Sequence, residues 1–155
     1  MAVMAMKDKN RAVRILLVED NYGDVLLTKH AFAKAKIANE ITVARDGEEA
    51  MAMLHHEGAY TAMPLPDLVL LDLNLPKMDG KEVLAAIKSD DRLRHLPVII
   101  LSSSRAEQDV AKSYDLNANS YLIKPIDLEN FYGVVQAIES FWINLVVSPD
   151  GNAHG

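Results

Sequence analysis

Apolar runs of strand length recur along the chain at residues 13–18, 40–44, 68–71, 97–101 and 118–123. Three of them are almost continuously apolar, the signature of parallel strands covered on both faces. Amphipathic stretches lie between. In the first, Val25, Leu26, Ala31 and Phe32 alternate with Lys29, Lys34 and Lys36; in the second, Ala50, Met51 and Leu54 alternate with Glu48, Glu49 and Glu57. Further helices are predicted near 80–89, 105–115 and 127–147, completing a (βα)5 pattern. Strands that alternate with helices through short links imply right-handed crossovers. The predicted fold is therefore α/β, a five-stranded parallel sheet in a three-layer sandwich of flavodoxin-like type.

At 155 residues the chain has the size of one domain. We place that domain at residues 12–147, with flexible tails at 1–11 and 148–155. The last segment is polar and turn-forming, and no output domain is expected after it. Half of the residues are apolar, a quarter are charged, and the net charge is −6. With no basic run to offset it, that charge argues against nucleic acid and anionic membranes as partners. No run approaches the length of a membrane helix. The chain has no cysteine, which removes disulfides, thiolate metal sites and cysteine nucleophiles, so the expected location is the cytoplasm.

In open parallel sheets, ligands bind beyond the C-terminal strand ends. The residues there are Glu19 and Asp20 after the first run, Asp72 after the third, Ser102 after the fourth and Lys124 after the fifth. Taken singly, these are a helix cap, a common loop serine and a solvated lysine. Taken jointly, they place carboxylates, a hydroxyl and an ammonium on one rim. Clustered carboxylates repel unless a cation joins them. Hard oxygen donors with room for water and phosphate suit Mg2+. The five histidines, by contrast, show no spacing of a zinc site. A carboxylate beside Mg2+, a hydroxyl and an ammonium are the parts needed to accept a phosphoryl group. Asp72 is the expected nucleophile. It ends the most apolar strand, ahead of a rigid loop, whereas the adjacent Glu19 and Asp20 suit sharing a cation.

With Val18-Glu19-Asp20-Asn21, Leu71-Asp72-Leu73-Asn74-Leu75-Pro76-Lys77-Met78-Asp79-Gly80, Val98-Ile99-Ile100-Leu101-Ser102 and Lys124-Pro125 in this order, the sequence resembles the receiver domain of two-component response regulators over about residues 12–145. The resemblance implies that Asp72 is phosphorylated by a histidine kinase and that Glu19 and Asp20 hold Mg2+. It further implies that Asn74 lends its backbone carbonyl to the metal, that Ser102 is the switch hydroxyl, that Lys124 binds the phosphoryl group and that Tyr121 is the aromatic switch. A cis peptide bond before Pro125 is expected to turn Lys124 toward Asp72. Two features depart from a minimal receiver. The switch residue is Ser rather than Thr, and the segment 57–66 is longer. That segment, the Asp-Leu-Asn-Leu-Pro-Lys run and Phe141-Trp142 are similar to the small receivers paired with bacterial phytochrome kinases. Signalling through phosphorylation-dependent binding of another protein is then expected, without independent substrate turnover.

Two other classes use similar parts. A phosphatase of the haloacid dehalogenase type also forms an aspartyl phosphate, but its nucleophile sits on the first strand in an Asp-x-Asp pair, and here Leu73 and Asn74 follow Asp72. A flavodoxin-like carrier needs a phosphate cradle after the first strand, where this chain has Glu19 and Asp20. Near the C-terminus, Phe131, Val134, Val135, Ile138, Phe141, Trp142 and Leu145 form one helical stripe, while Tyr132, Ile143, Val146 and Val147 lie off it. A helix apolar nearly all round exceeds what its own sheet can cover, so a homodimer through this helix is expected.

Overall fold

The computed structural model describes residues 12–35, 38–102 and 120–123, together with 133, 135, 136, 139 and 140. Its elements run in order β1 (Val13–Val18), α1 (Tyr22–Ala33), β2 (Asn39–Ala44), α2 (Gly47–Leu54), a 3-10 turn (Gly58–Tyr60), β3 (Leu68–Asp72), α3 (Gly80–Ser89), β4 (Val98–Ser102) and β5 (Ser120–Ile123). The strands form one five-stranded parallel sheet, as the alternation of strand and helix predicts, and their order is β2-β1-β3-β4-β5. The helix expected near 105–115 and both tails lie outside the described residues.

Side-chain alternation along the strands builds two cores. Leu16, Val18, Val69, Leu71, Val98 and Ile100 pack with Ala50, Leu54, Val83, Leu84 and Ile87 of α2 and α3. Ile15, Leu17, Leu68, Leu70, Ile99 and Leu101 face the other way, onto Val25, Ala31 and Phe32 of α1 and onto Val135. β3 and β4 are buried at every position, which is why their sequences are apolar up to their last residues, Asp72 and Ser102. β2 pairs only with β1 and alternates half-buried with exposed positions up to a buried Ala44, the pattern of a sheet edge.

Each of α1, α2 and α3 starts on a side chain that accepts a backbone N–H from its first turn. Asn21 accepts from Asp24, Asp46 from Glu49 and Asp79 from Glu82. At α3 the bond is reciprocal, with Asp79 N–H donating to Glu82 Oε1 at 3.1 Å. These caps fix where each helix leaves the sheet, and hence the loops at its C-terminal rim. The longer segment before β3 is an ordered extension. Its Tyr60 hydroxyl donates to Glu49 Oε2 at 3.0 Å, and Tyr60, Met63 and Leu65 pack against the α2–α3 core.

Residues 133, 135, 136, 139 and 140 are helical. Val135, a member of the predicted C-terminal stripe, is 3% exposed in the α1-side core. The other stripe residues, and the apolar positions off it, lie outside the described residues.

Candidate functional site

Register brings the acidic residues together. Val18 stands opposite Leu71, so the first residue after β1, Glu19, is level with Asp72, the last of β3. One carboxylate oxygen from each of Glu19, Asp20 and Asp72 lies within 4.8 Å of the others. Glu19 and Asp72 are almost fully buried, at 1% and 3% exposure, whereas Asp20 faces solvent. Two buried acids and an exposed one thus line an open cleft with Asn21, Tyr22, Asp24 and Asn74, and no basic side chain is among these lining residues.

Backbone amides orient two of the carboxylates. Asn74 N–H donates to Asp72 Oδ1 at 3.0 Å, and Asn21 N–H donates to Glu19 Oε2 at 3.2 Å. Both contacts arise from tight turns directly after a strand. The loop after β3 closes on itself because Gly80 N–H donates to the Leu73 carbonyl at 3.2 Å. A Cβ at Gly80 would sit 2.7 Å from Leu73 Cα and closer still to the Asp72 carbonyl oxygen. Only glycine lets α3 start this near the strand end.

Ser102 ends β4 and is fully buried. It stands one strand over from Asp72, which pairs with Leu101, and outside the cleft lining. Tyr121 lies within β5 opposite Ile100. Lys124 and the peptide bond before Pro125, expected to be cis, lie outside the described residues. The structure therefore brings together Glu19, Asp20, Asp72 and Asn74 of the predicted set. Sequence reasoning passed over Asn21 and Tyr22. Their signal was adjacency to the acidic pair, since a residue that caps a helix beside a strand end also turns its N–H toward that end.

This acid-lined cleft admits a hard cation, and Asp72 is a carboxylate held in one orientation beside it. Comparison with known proteins agrees with that frame. The family model described as "Response regulator receiver domain" matches residues 15–136. The response regulator Rcp1 of Synechocystis is 47% identical over 135 residues, covering 87% of this chain and 92% of Rcp1. The probable methanogenesis regulatory protein FilR2 of Methanothrix harundinacea is 43% identical, over 87% of this chain and 86% of FilR2. Among solved structures, the phosphorylated cyanobacterial phytochrome response regulator RcpA superposes with a TM-score of 0.78 at 48% identity, covering 86% of this chain and 95% of RcpA. The Mn2+-bound form of Rcp1 superposes with a TM-score of 0.75 at 47% identity, over 84% and 94% of the two chains. With the family model spanning most of its length and these relatives aligned almost end to end, the chain belongs to the response regulator receiver domain family.

Proposed function

We propose that this receiver takes a phosphoryl group from a histidine kinase of the phytochrome type onto Asp72, with Mg2+ at Glu19, Asp20 and Asp72, and signals in the cytoplasm by phosphorylation-dependent binding of another protein. The observation that carries the reading is the convergence of those three carboxylates, with that of Asp72 held by the Asn74 amide. The kinase class rests on likeness to RcpA, a cyanobacterial phytochrome response regulator. The donor set is all oxygen and anionic, which fits a hard divalent cation, and the relative Rcp1 has been solved with Mn2+ bound. When bound, such a cation neutralises the carboxylates and the phosphoryl oxygens. The Asn74 backbone carbonyl is proposed as a further donor.

In the proposed transfer, an Asp72 oxygen attacks the phosphorus of a phosphohistidine. The P–N bond breaks, the imidazole leaves and an acyl phosphate remains on Asp72. Lys124 would pair with the phosphoryl oxygens, Ser102 would hydrogen-bond one of them, and Tyr121 would turn inward as Ser102 moves. The charge of roughly −1.5 to −2 that the group adds drives this rearrangement. A haloacid dehalogenase-like phosphatase is not favoured, because the family match is to receivers and the candidate nucleophile ends the third strand rather than the first. The homodimer through the C-terminal helix remains part of this proposal. Light scattering on the intact chain and on the Trp142→Glu, Val146→Glu variant tests it, and a parent protein that stays monomeric with and without phosphodonor refutes it.

The central test is labelling. A small phosphodonor with Mg2+ is expected to modify one site per chain, Asp72, and Asp72→Asn should abolish the label. Full labelling of that variant overturns the assignment. Steady phosphate release from small phosphomonoesters would favour the phosphatase instead.

A further inference from the structure

We propose that Asp46 and Gly47, the cap and the first residue of α2, are positioning residues that hold the loop after β3 in the shape the cation site requires. This inference rests on the receiver reading above and adds a second element to the site, one that does not line the cleft. The loop leaves Asp72 and returns to the Asp79 cap of α3. Midway, Lys77 has φ of 65°, a conformation that a residue with a Cβ keeps only when its surroundings hold it.

The surroundings that hold it come from α2. Lys77 Nζ lies 3.6 Å from Asp46 Oδ2, while Asp46 Oδ1 accepts the Glu49 N–H at 2.7 Å. One carboxylate thus caps a helix with one oxygen and tethers the loop with the other. The next residue, Gly47, is buried against the loop backbone. A Cβ there would sit 2.7 Å from Met78 Cβ and 2.8 Å from Met78 C, and nearer still to the Met78 carbonyl oxygen. The helix behind this contact is anchored in the core by Ala50, Met53 and Leu54. It has little room to yield, so a side chain at position 47 must push the loop instead.

The loop's other end bears Asn74, whose amide holds Asp72 Oδ1. A push at Met78 reaches that amide because the segment between them is short and tied at Gly80. The ion pair itself is exposed on the lysine side, at 61%, so it contributes little to global stability. Its effect is on the loop. Groups that orient ligands without touching the metal change metal affinity about 10- to 100-fold when lost.

The test uses Mn2+ as the probe, with free ion followed by electron paramagnetic resonance on the full chain. Gly47→Ala is expected to weaken Mn2+ binding about tenfold and to speed hydrogen exchange at the Asn74 amide, with the melting temperature of the metal-free chain lowered by the overpacking against Met78. Asp46→Asn keeps the cap to Glu49 and loses the charge on Lys77, and should move both readouts the same way by less. Parent-like Mn2+ affinity in Gly47→Ala overturns the proposal. If that variant fails to fold, Asp46→Asn decides, and parent-like affinity there overturns it. If the parent chain itself binds no Mn2+, the receiver reading of the site fails. Asn74 exchange in the metal-free variants then settles the positioning role, with unchanged exchange refuting it.

Discussion

The two rims of the sheet use polar groups in opposite ways. At the N-terminal rim they are consumed by the chain's own backbone. Asp67 Oδ2 accepts the Arg14 N–H at 2.8 Å, and Lys88 Nζ donates to the Arg94 and Leu96 carbonyls at 3.3 Å each. Burial lowers the Lys88 pKa, yet the ammonium closes the turn into β4. Nearby, Asp90 accepts the Arg92 N–H at 2.8 Å and pairs with His55 at 3.0 Å. At the C-terminal rim, Glu19, Asp20 and Asp72 face one another instead. Like charges gathered in this way cost stability in the absence of a counter-ion. One rim closes the fold, and the other gathers the carboxylates proposed to hold a cation.

That contrast predicts opposite responses to losing a carboxylate. The largest effect is expected for Asp20→Asn, which removes a proposed direct ligand and should weaken Mn2+ or Mg2+ binding at least about a hundredfold, the upper end of what even outer ligand-orienting groups command. The same change should raise the melting temperature of the metal-free chain by relieving repulsion. Calorimetry with and without Mg2+ reads both, and a metal-free chain that melts lower than the parent breaks the comparison. Asp67→Ala should do the reverse. It leaves the Arg14 N–H without that partner and is expected to cost about 1–3 kcal/mol in urea unfolding, with cation affinity unchanged. A loss of affinity there would show that the rims are not separable.

A smaller effect is expected from pH. The Arg92 N–H, aided by His55, holds the Asp90 carboxyl below its ordinary value. A depressed folded pKa means that the contribution is present above the unfolded value and lost as pH falls through the folded one. Asp90→Asn should therefore be less stable than the parent at neutral pH, and the gap should close as pH drops below the carboxylate range. Urea midpoints across that range provide the check, and a gap that widens in acid contradicts the assignment. The smallest effect is expected at Tyr60. Its hydrogen bond to Glu49, then burial, then the charges of Glu49 and Asp46 raise the phenol pKa. Here the folded value lies above the unfolded one, so the contribution is complete below about pH 10 and is lost as pH rises through the folded value. Tyr60→Phe should erase that alkaline loss while leaving labelling of Asp72 intact. Absorbance titration of the phenolates detects the shift directly.

Much of this was legible in the linear chain, for identifiable reasons. β3 and β4 read as strands because burial on both faces demands apolar residues at every position, and Asp72 stood out as the first interruption of such a run. The caps Asn21, Asp46 and Asp79 went unread in the sequence, although their side chains satisfy N–H groups only a few residues away. Strand alternation and the rule for parallel crossovers then placed Glu19, Asp20, Asp72 and Ser102 on one rim. All of these signals are local or periodic, and local physics carries them.

What only the tertiary structure decided are relations between segments distant in sequence. Nothing in Gly47 by itself says that it lies against Met78, nor in Asp46 that its second oxygen meets Lys77. Likewise, the longer segment before β3 read only as an insertion, whereas the structure shows that Tyr60 ties it to Glu49. Register also belongs here. The level of Glu19 against Asp72 follows from Val18 pairing with Leu71, and a one-residue slip would keep every apolar run and destroy the site. The sequence by itself determined which residues carry charge at the strand ends. The packed sheet decided which of those charges meet, because side chains from separate elements share space only after the backbones between them have been fixed by the core.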